Sequence, residues 1–174
     1  MSCYRRIRIP GATYFYTVNL AQRGTTLLVD HIDDLRIAYA AMMREAPVLC
    51  DAMVVLPDHI HAIWTMPSGD SDYSDRWRRI KARFTRRIGN RFPRSGSKMA
   101  KREAGLWQRR FWEHTIRNEA DYQNHMAYCW GNPVKHGLVE RAADWPYSSI
   151  HRDIRLGVAA PDWNAKELDG EFGE

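Results

Sequence analysis

Two histidines separated by a single residue form the first pattern in this chain that could do chemistry. His59 and His61 follow a Pro-Asp turn inside the apolar run VVLPDHIHAIW, at residues 54–64. On a strand they would emerge on one face, about 6.6–6.8 Å apart along the chain. That spacing lets both imidazoles bind one divalent ion, and a further ligand must then come from elsewhere. The alternative is that both rings only form hydrogen bonds at the end of a strand.

A candidate for that further ligand lies in the last third of the chain. Tyr128 and Asn132 are four residues apart, so on a helix they share one face, with Cβ atoms about 5–6 Å apart. An amide oxygen is a suitable ligand for Mg²⁺ or Mn²⁺, and a phenol beside it could attack a phosphate held by that metal. The alternative is that Tyr128 packs in a helix seam and Asn132 begins the turn before Pro133.

Basic residues are concentrated in one segment of the chain. Residues 76–110 contain 14 lysines and arginines and one glutamate, whereas the other residues carry 12 basic against 20 acidic side chains. Because like charges at this density repel one another, the segment predicts a polyanionic partner such as nucleic acid. A solvated, charged helix face is the alternative.

The elements that must position these residues follow from the hydrophobic pattern. Strands are predicted at 14–20, 51–56, 58–65 and 107–116. Helices are predicted at about 31–44, 75–90 and 119–131, the last closed by Pro133. The order βαββαβα indicates a ferredoxin-like α+β sandwich with an antiparallel sheet, in which helices cover one face and the other is free to receive a ligand.

Length and composition indicate a single domain. Its predicted extent is residues 1–160, including a C-terminal extension from about 138, followed by an acidic, flexible tail at 161–174. The polar stretch 94–105 is predicted to be a mobile loop. No apolar run approaches the ~18 residues that span a bilayer. The three cysteines, Cys3, Cys50 and Cys129, lack the spacing of a disulfide framework or zinc knuckle, which fits a reducing cytoplasm.

The chain resembles the REP-associated tyrosine transposases, relatives of the single-tyrosine HUH insertion-sequence transposases. The most specific blocks are PDHIH at residues 57–61 and the pattern Tyr-x-x-x-Asn-Pro-Val-Lys at residues 128–135, in that order. Longer matching blocks occupy 14–36, 52–84, 105–139 and 145–152, so the resemblance covers nearly the whole chain. It implies a DNA-processing enzyme in the bacterial cytoplasm, associated with the nucleoid when bound to DNA.

The resemblance also implies a role for each motif residue. His59 and His61 match the HUH pair that binds a divalent metal, Mg²⁺ or Mn²⁺, and Asn132 matches the polar ligand one helical turn after the tyrosine. Tyr128 matches the nucleophile, which attacks single-stranded DNA beside a hairpin and leaves a 5′-phosphotyrosine. Contacts to DNA are predicted at Arg76, Arg79, Lys81, Arg83, Arg86, Arg87, Arg109, Arg110, Trp112 and Lys135.

Several neighbouring residues have two interpretations. Three aromatic side chains could stack on unpaired bases or pack in the core: Trp107, Phe111 and Trp112. Tyr122 is a rival nucleophile, but six residues on a helix place it away from the face that carries Tyr128. Asp58 and Glu113 could support the metal or act as a base.

Two further functions and two oligomeric states stay open. Members of the family often carry Ile-His directly after the tyrosine, whereas this chain has Cys129 and Trp130, which favours a hairpin-DNA-binding protein with impaired catalysis. A metallophosphohydrolase that uses only the histidine pair is a third hypothesis. The protein could be a homodimer, or a monomer capped by its C-terminal extension, with Trp145, Pro146 and Tyr147 folding back on the core.

Overall fold

A four-stranded antiparallel sheet is the framework of the computed structural model, which describes residues 6–89 and 105–164. The strands are β1 (Thr13–Asn19), β2 (Leu49–Val55), β3 (His59–Thr65) and β4 (Trp112–Thr115). The helices are α1 (Leu27–Asp30), α2 (Ile32–Glu45), α3 (Tyr73–Ile88), α4 (Glu119–Lys135) and α5 (Ile150–Arg155), with a 3-10 turn at Ala142–Asp144. The spatial order β2-β3-β1-β4 confirms the predicted ferredoxin-like α+β sandwich.

Two of the predicted segments lie mostly outside the described residues. They are the mobile loop, of which only Gly105 is described, and the acidic tail, which is described as far as residue 164. The extent of the domain, residues 1–160, stays a prediction. Within the described ranges, no helix has the length and hydropathy that crossing a membrane requires.

Alternation along the strands sends side chains into two separate hydrophobic cores. Tyr14 and Tyr16 of β1 and Trp64 of β3 pack under α2 and α3, where Trp64 stacks on Trp77 at a centroid distance of 4.3 Å. Phe15 belongs to the core on the opposite face, under α4. The period of two that predicted the strands therefore also decides which helix each side chain meets.

The second face of the sheet is not open, which corrects the prediction that helices cover only one side. It carries the apolar side chains Phe15, Ala52, Val54, Leu56 and Ile63, all of them buried. Each large apolar side chain gains about 1.5–3 kcal/mol from such burial, so this face needs a cover. The tyrosine-bearing helix α4 and the C-terminal extension provide it.

The C-terminal extension folds back on the core, which is one part of the capped-monomer alternative. The indole Nε1 of Trp145 donates a hydrogen bond to the Val55 carbonyl at 2.9 Å. The Val55 amide in turn donates to the Tyr147 carbonyl at 2.9 Å. The extension therefore satisfies backbone groups at the outer edge of β2.

Two predicted boundaries are wrong, and one short helix was not predicted. Helix α4 continues through Pro133 to Lys135, because a proline near the end of a helix removes one hydrogen bond without forcing the chain out of helical geometry. Strand β4 is limited to Trp112–Thr115, and Trp107 forms only an isolated bridge to Leu20. The short helix α1 has no clear hydrophobic period, and the sequence pattern missed it.

Much of the positive charge of α3 is compensated by acidic residues of α2. Arg79 and Arg83 both bind the Glu45 carboxylate, at 2.8 and 2.7 Å. Arg87 binds Asp34 at 2.8 Å. The solvated-face alternative therefore describes part of this helix well, and DNA contact by these three arginines stays a prediction.

Arg76 has a structural role, which argues against its predicted contact with DNA. Its side chain is only 5% exposed. The guanidinium donates to the carbonyls of Ala46, Asp72 and Pro47 at 3.0–3.1 Å and to the Asp70 carboxylate at 2.7 Å. Because all these donors point into the protein, a DNA phosphate cannot reach them.

Replacement of Arg76 tests this structural role. We expect Arg76→Met to lower the free energy of unfolding by about 2–4 kcal/mol, since three partly buried carbonyls and a carboxylate lose the buried donor that binds them. Urea denaturation of the purified variant measures this change. Arg79→Met on the same helix is the matched control and should cost much less, because its ion pairs are exposed. Equal losses in the two variants would contradict the assignment.

Candidate active site beneath the tyrosine helix

The two histidines lie side by side at the start of β3, on the face covered by α4. Their ring centroids are 4.9 Å apart, and both side chains are buried. Ile60 between them points into the opposite core. Nδ1 of His61 hydrogen-bonds Thr17 Oγ1 of β1 at 3.0 Å. Strand alternation therefore brings the pair together as the sequence predicted.

Asp58 fixes the orientation of His59. Its Oδ1 lies 2.6 Å from His59 Nδ1, while Oδ2 accepts the Gly24 amide at 2.7 Å and pairs with Arg23 at 3.1 Å. A carboxylate on one ring nitrogen holds a histidine in the tautomer that directs the other nitrogen toward a metal. The structure thus gives Asp58 a supporting position next to the histidine pair.

The His59 ring has the properties of a metal ligand. Burial lowers the pKa of His59 to about 4, and the neighbouring His61 adds to that effect against the opposing pull of Asp58. The ring is therefore neutral near pH 7, the form that metal binding requires. Its Nε2 is buried and has no hydrogen-bond partner among the described residues. A divalent ion would satisfy an atom that otherwise costs free energy to bury.

Helix α4 brings Tyr128 over the histidine pair. The Tyr128 ring lies 5.1 Å from the His61 ring, edge to face. Asn132, one turn later on the helix, is fully buried. Lys135, about two turns after the tyrosine, donates from Nζ to the Tyr128 hydroxyl at 3.2 Å. The continuation of the helix through Pro133 is what places all three side chains on one face.

The rival nucleophile and the two residues that depart from the family pattern have other partners in the structure. Tyr122 donates to Asp51 at 3.2 Å, and burial together with that carboxylate raises the pKa of Tyr122 to about 12. Trp130 donates to Asp153 of the C-terminal extension at 3.1 Å, and Cys129 is buried in the same core. The two residues that depart from the family pattern therefore pack in the core that α4 shares with the C-terminal extension.

Part of the predicted DNA-binding set surrounds a cavity of about 620 Å³ at the β4 edge of the sheet. Lys81 enters it between the rings of Trp107 and Phe111, at 5.7 and 5.4 Å. Burial lowers the pKa of Lys81 to about 8, and Arg6 contributes. Arg86 and Arg109 line the same cavity. Its mixture of cations and aromatic rings suits an unpaired nucleotide.

Trp112 and Arg110 lie outside that cavity. Trp112 packs edge-on against Phe15 at 5.8 Å and stacks on His114 at 5.9 Å. It is half-buried, which agrees with a core role and leaves one edge accessible. The Arg110 side chain is exposed. Glu113 is buried opposite Tyr16, on the other side of the sheet from the histidine pair.

Sequence reasoning missed His136. Its ring lies 5.1 Å from the His59 ring, at the end of α4. The helical spacing could have indicated it, because His136 is four residues after Asn132 and one after Lys135.

The fold and the site together define an α+β protein in which a buried histidine pair faces a tyrosine on a covering helix. Comparison with models of known protein families found no match. Individual proteins do match over the whole chain. A protein of Escherichia coli K12 named REP-associated tyrosine transposase is 45% identical over 174 residues, covering 100% of this chain and 98% of that protein. A relative from Haemophilus influenzae is 43% identical over 164 residues, covering 94% and 93%.

A solved structure is similar to this chain as well. A REP-associated tyrosine transposase bound to a REP hairpin superimposes with a TM-score of 0.87 at 44% identity, covering 100% of this chain and 98% of that one. The chain belongs to the REP-associated tyrosine transposase family.

The position of Asp58 predicts a measurable effect on metal affinity. We expect Asp58→Asn to weaken Mn²⁺ binding by about 10- to 100-fold, because the His59 ring loses the charge that orients it. Isothermal titration calorimetry of metal-free protein measures this. Asp144→Asn, which touches only the exposed pair with Arg141, is the control. Unchanged affinity in Asp58→Asn would contradict this supporting role.

Proposed function

We propose that this protein nicks and rejoins single-stranded DNA beside a hairpin, using Tyr128 as nucleophile and a divalent metal held by His59, His61 and Asn132. The observation that carries the proposal is the position of the Tyr128 ring, 5.1 Å from His61 and with its hydroxyl bonded to Lys135. A nucleophile, a cation beside it and a metal-ligand pair then converge at one end of the sheet.

The chemistry assigned to Tyr128 is a transfer of a phosphodiester. The phenolic oxygen forms a bond to phosphorus, the bond from phosphorus to the 3′-oxygen breaks, and that oxygen takes up a proton to leave as a 3′-hydroxyl. The part of the DNA downstream of the cut stays attached to Tyr128 through its 5′-phosphate. Because one phosphodiester replaces another, a second 3′-hydroxyl can reverse the step, which permits strand joining without ATP.

Lys135 provides the activation that a phenol needs. An unperturbed phenol has a pKa near 10, so only about one part in a thousand is ionised at pH 7. A cationic donor on the hydroxyl oxygen stabilises the phenolate that develops as the proton leaves. A bound Mg²⁺ or Mn²⁺ would neutralise charge on the scissile phosphate.

The proposed substrate follows from a relative and from the surface of this chain. The similar solved structure holds a REP hairpin, and we extend that ligand class to this protein. The cavity lined by Lys81, Arg86 and Arg109 would receive unpaired nucleotides, and exposed Arg110 would add phosphate contacts. The cell compartment that fits such a substrate is the bacterial cytoplasm.

A covalent-adduct assay tests the proposal. A labelled single-stranded oligonucleotide containing a palindrome from the host genome is incubated with protein and Mg²⁺ or Mn²⁺, then denatured and separated by size. We expect a denaturant-resistant protein–DNA adduct for the wild type and none for Tyr128→Phe. Tyr122→Phe, six residues earlier on the same helix, is the matched control and should retain the adduct.

The same assay separates the proposal from the alternative of binding without chemistry. The proposal requires that EDTA and His61→Ala abolish the adduct while hairpin binding persists. Hairpin binding with no adduct under any metal condition would instead establish a binding protein. An adduct that survives in Tyr128→Phe would show that another residue is the nucleophile.

Replacing Lys135 tests the activation step separately. We expect Lys135→Met to slow adduct formation by about 10²- to 10³-fold, the usual cost of losing one donor to a developing anion. Lys135→Arg keeps the charge and should retain more of the rate. Rates are compared at saturating DNA, so that loss of a phosphate contact does not contribute. Equal rates for the wild type and Lys135→Met would exclude this role.

A further inference from the structure

A second cluster of metal-ligating side chains lies beside the proposed active site and takes no part in the reaction described above. It joins β4 to the first turns of α4 and consists of His114, Asp121 and His125. One nitrogen or oxygen from each residue lies within 4.8 Å of the others. We propose that this cluster binds a Zn²⁺-type transition-metal ion and thereby ties the start of the tyrosine helix to the sheet.

The local geometry is close to that of a coordinated ion. His114 Nε2 lies 2.8 Å from Asp121 Oδ2, and Asp121 Oδ1 lies 3.0 Å from His125 Nδ1. Ligand atoms at ~2.0–2.2 Å from one tetrahedral zinc are about 3.4 Å apart. Small rotations of the side chains therefore suffice to place all three donors around one ion.

The donors come from rigid elements with a suitable spacing. Asp121 and His125 are four residues apart on α4 and so share one helical face. His114 comes from β4 and stacks on His125, with ring centroids 4.8 Å apart and an angle of 13°. Two residues at i and i+4 on a helix, with a third from a neighbouring element, is a recurrent way of holding zinc.

The chemistry of the donor set selects a transition metal over Mg²⁺. Two imidazoles and one carboxylate suit Zn²⁺ and similar first-row ions, whereas Mg²⁺ prefers oxygen ligands. Burial lowers the pKa of His125, and hydrogen bonds from His114 and the Arg117 amide lower that of Asp121 despite burial.

The ion would replace hydrogen bonds that already hold the cluster together. His125 Nδ1 also lies 2.8 Å from the Asp121 backbone oxygen. That oxygen is part of α4 and takes part in the backbone hydrogen bonds of the helix whether or not an ion is bound. The Asp121 amide keeps its bond to the Asn118 cap at 2.9 Å. Metal binding therefore replaces the hydrogen bonds within the cluster and leaves the start of the helix intact.

The position of the cluster gives the ion a structural effect. His125 lies one turn before Tyr128, and both rings contact Phe15 of β1, at 4.7 and 5.9 Å. Holding His125 against β4 therefore holds the turn of α4 that presents the tyrosine. The effect is on the stability of the helix position, and no reacting atom is involved.

Metal titration of the full chain tests the inference. Protein freed of metal with EDTA is titrated with Zn²⁺ by calorimetry, and with Co²⁺ by visible absorption as a probe of tetrahedral coordination. We expect the double variant His59→Gln/His61→Gln to bind one equivalent of Zn²⁺ that raises its Tm by a few degrees. Adding His114→Gln or Asp121→Asn should weaken that binding by more than about 100-fold, since even outer partners of a metal contribute about 10- to 100-fold.

The wild type provides a second route should the double variant fail to fold. Here His114→Gln alone should lower the Zn²⁺ stoichiometry by one equivalent, whereas the control His31→Gln, a histidine that faces Asp34 at 3.8 Å outside the cluster, should not. An unchanged stoichiometry in His114→Gln would overturn the inference and leave a cluster held by hydrogen bonds only. Because the readout is metal binding, failure here is distinguishable from failure of the DNA chemistry.

Discussion

The packing of α4 across the sheet is the interaction on which the rest of this structure depends. Phe15 lies at its centre, with His61, Tyr128 and His125 around its ring at centroid distances of 4.7–5.9 Å. The apolar face of the sheet must be covered, and the helix that covers it carries the tyrosine. Hydrophobic burial and the assembly of the candidate site are therefore the same event.

That packing explains why so many polar groups can be buried near one point. His59, His61 and Asn132 are all inaccessible to solvent, and burial of this kind is costly unless the groups are paired or bind an ion. Asp58 and Thr17 pair with one nitrogen of each histidine. These partners hold both rings in place before any ligand arrives, which is how a functional site is preorganised.

The basic segment shows how charge in a sequence divides between structure and function. Arg76 is buried among backbone carbonyls, and Glu45 of α2 compensates two further arginines. Lys81 and Arg86 lie on another side of the same helix and line a cavity with aromatic walls. A count of charges cannot separate these groups, because the separation depends on which acidic residues of another helix come within reach.

Much of the fold followed from local patterns, whereas the errors have both local and long-range causes. Strand-forming residue types and alternation identified all four strands, and helical spacing identified α2, α3 and α4. The prediction that Pro133 ends α4 was wrong because proline disfavours helix without forbidding its last turn. The open sheet face was predicted from the usual layer pattern, while the cover comes from a helix and an extension that are distant in sequence from the strands they protect.

The sequence by itself determined which residues share a face: His59 with His61 on a strand, and Tyr128 with Asn132 on a helix. Those relations depend only on periods of 2 and 3.6 residues, which the chain carries locally. Only the tertiary structure decided that the two faces meet, that Lys135 reaches the Tyr128 hydroxyl, and that His114 lies beside Asp121 and His125. The reason is that contacts between elements depend on long-range packing, which no local period records.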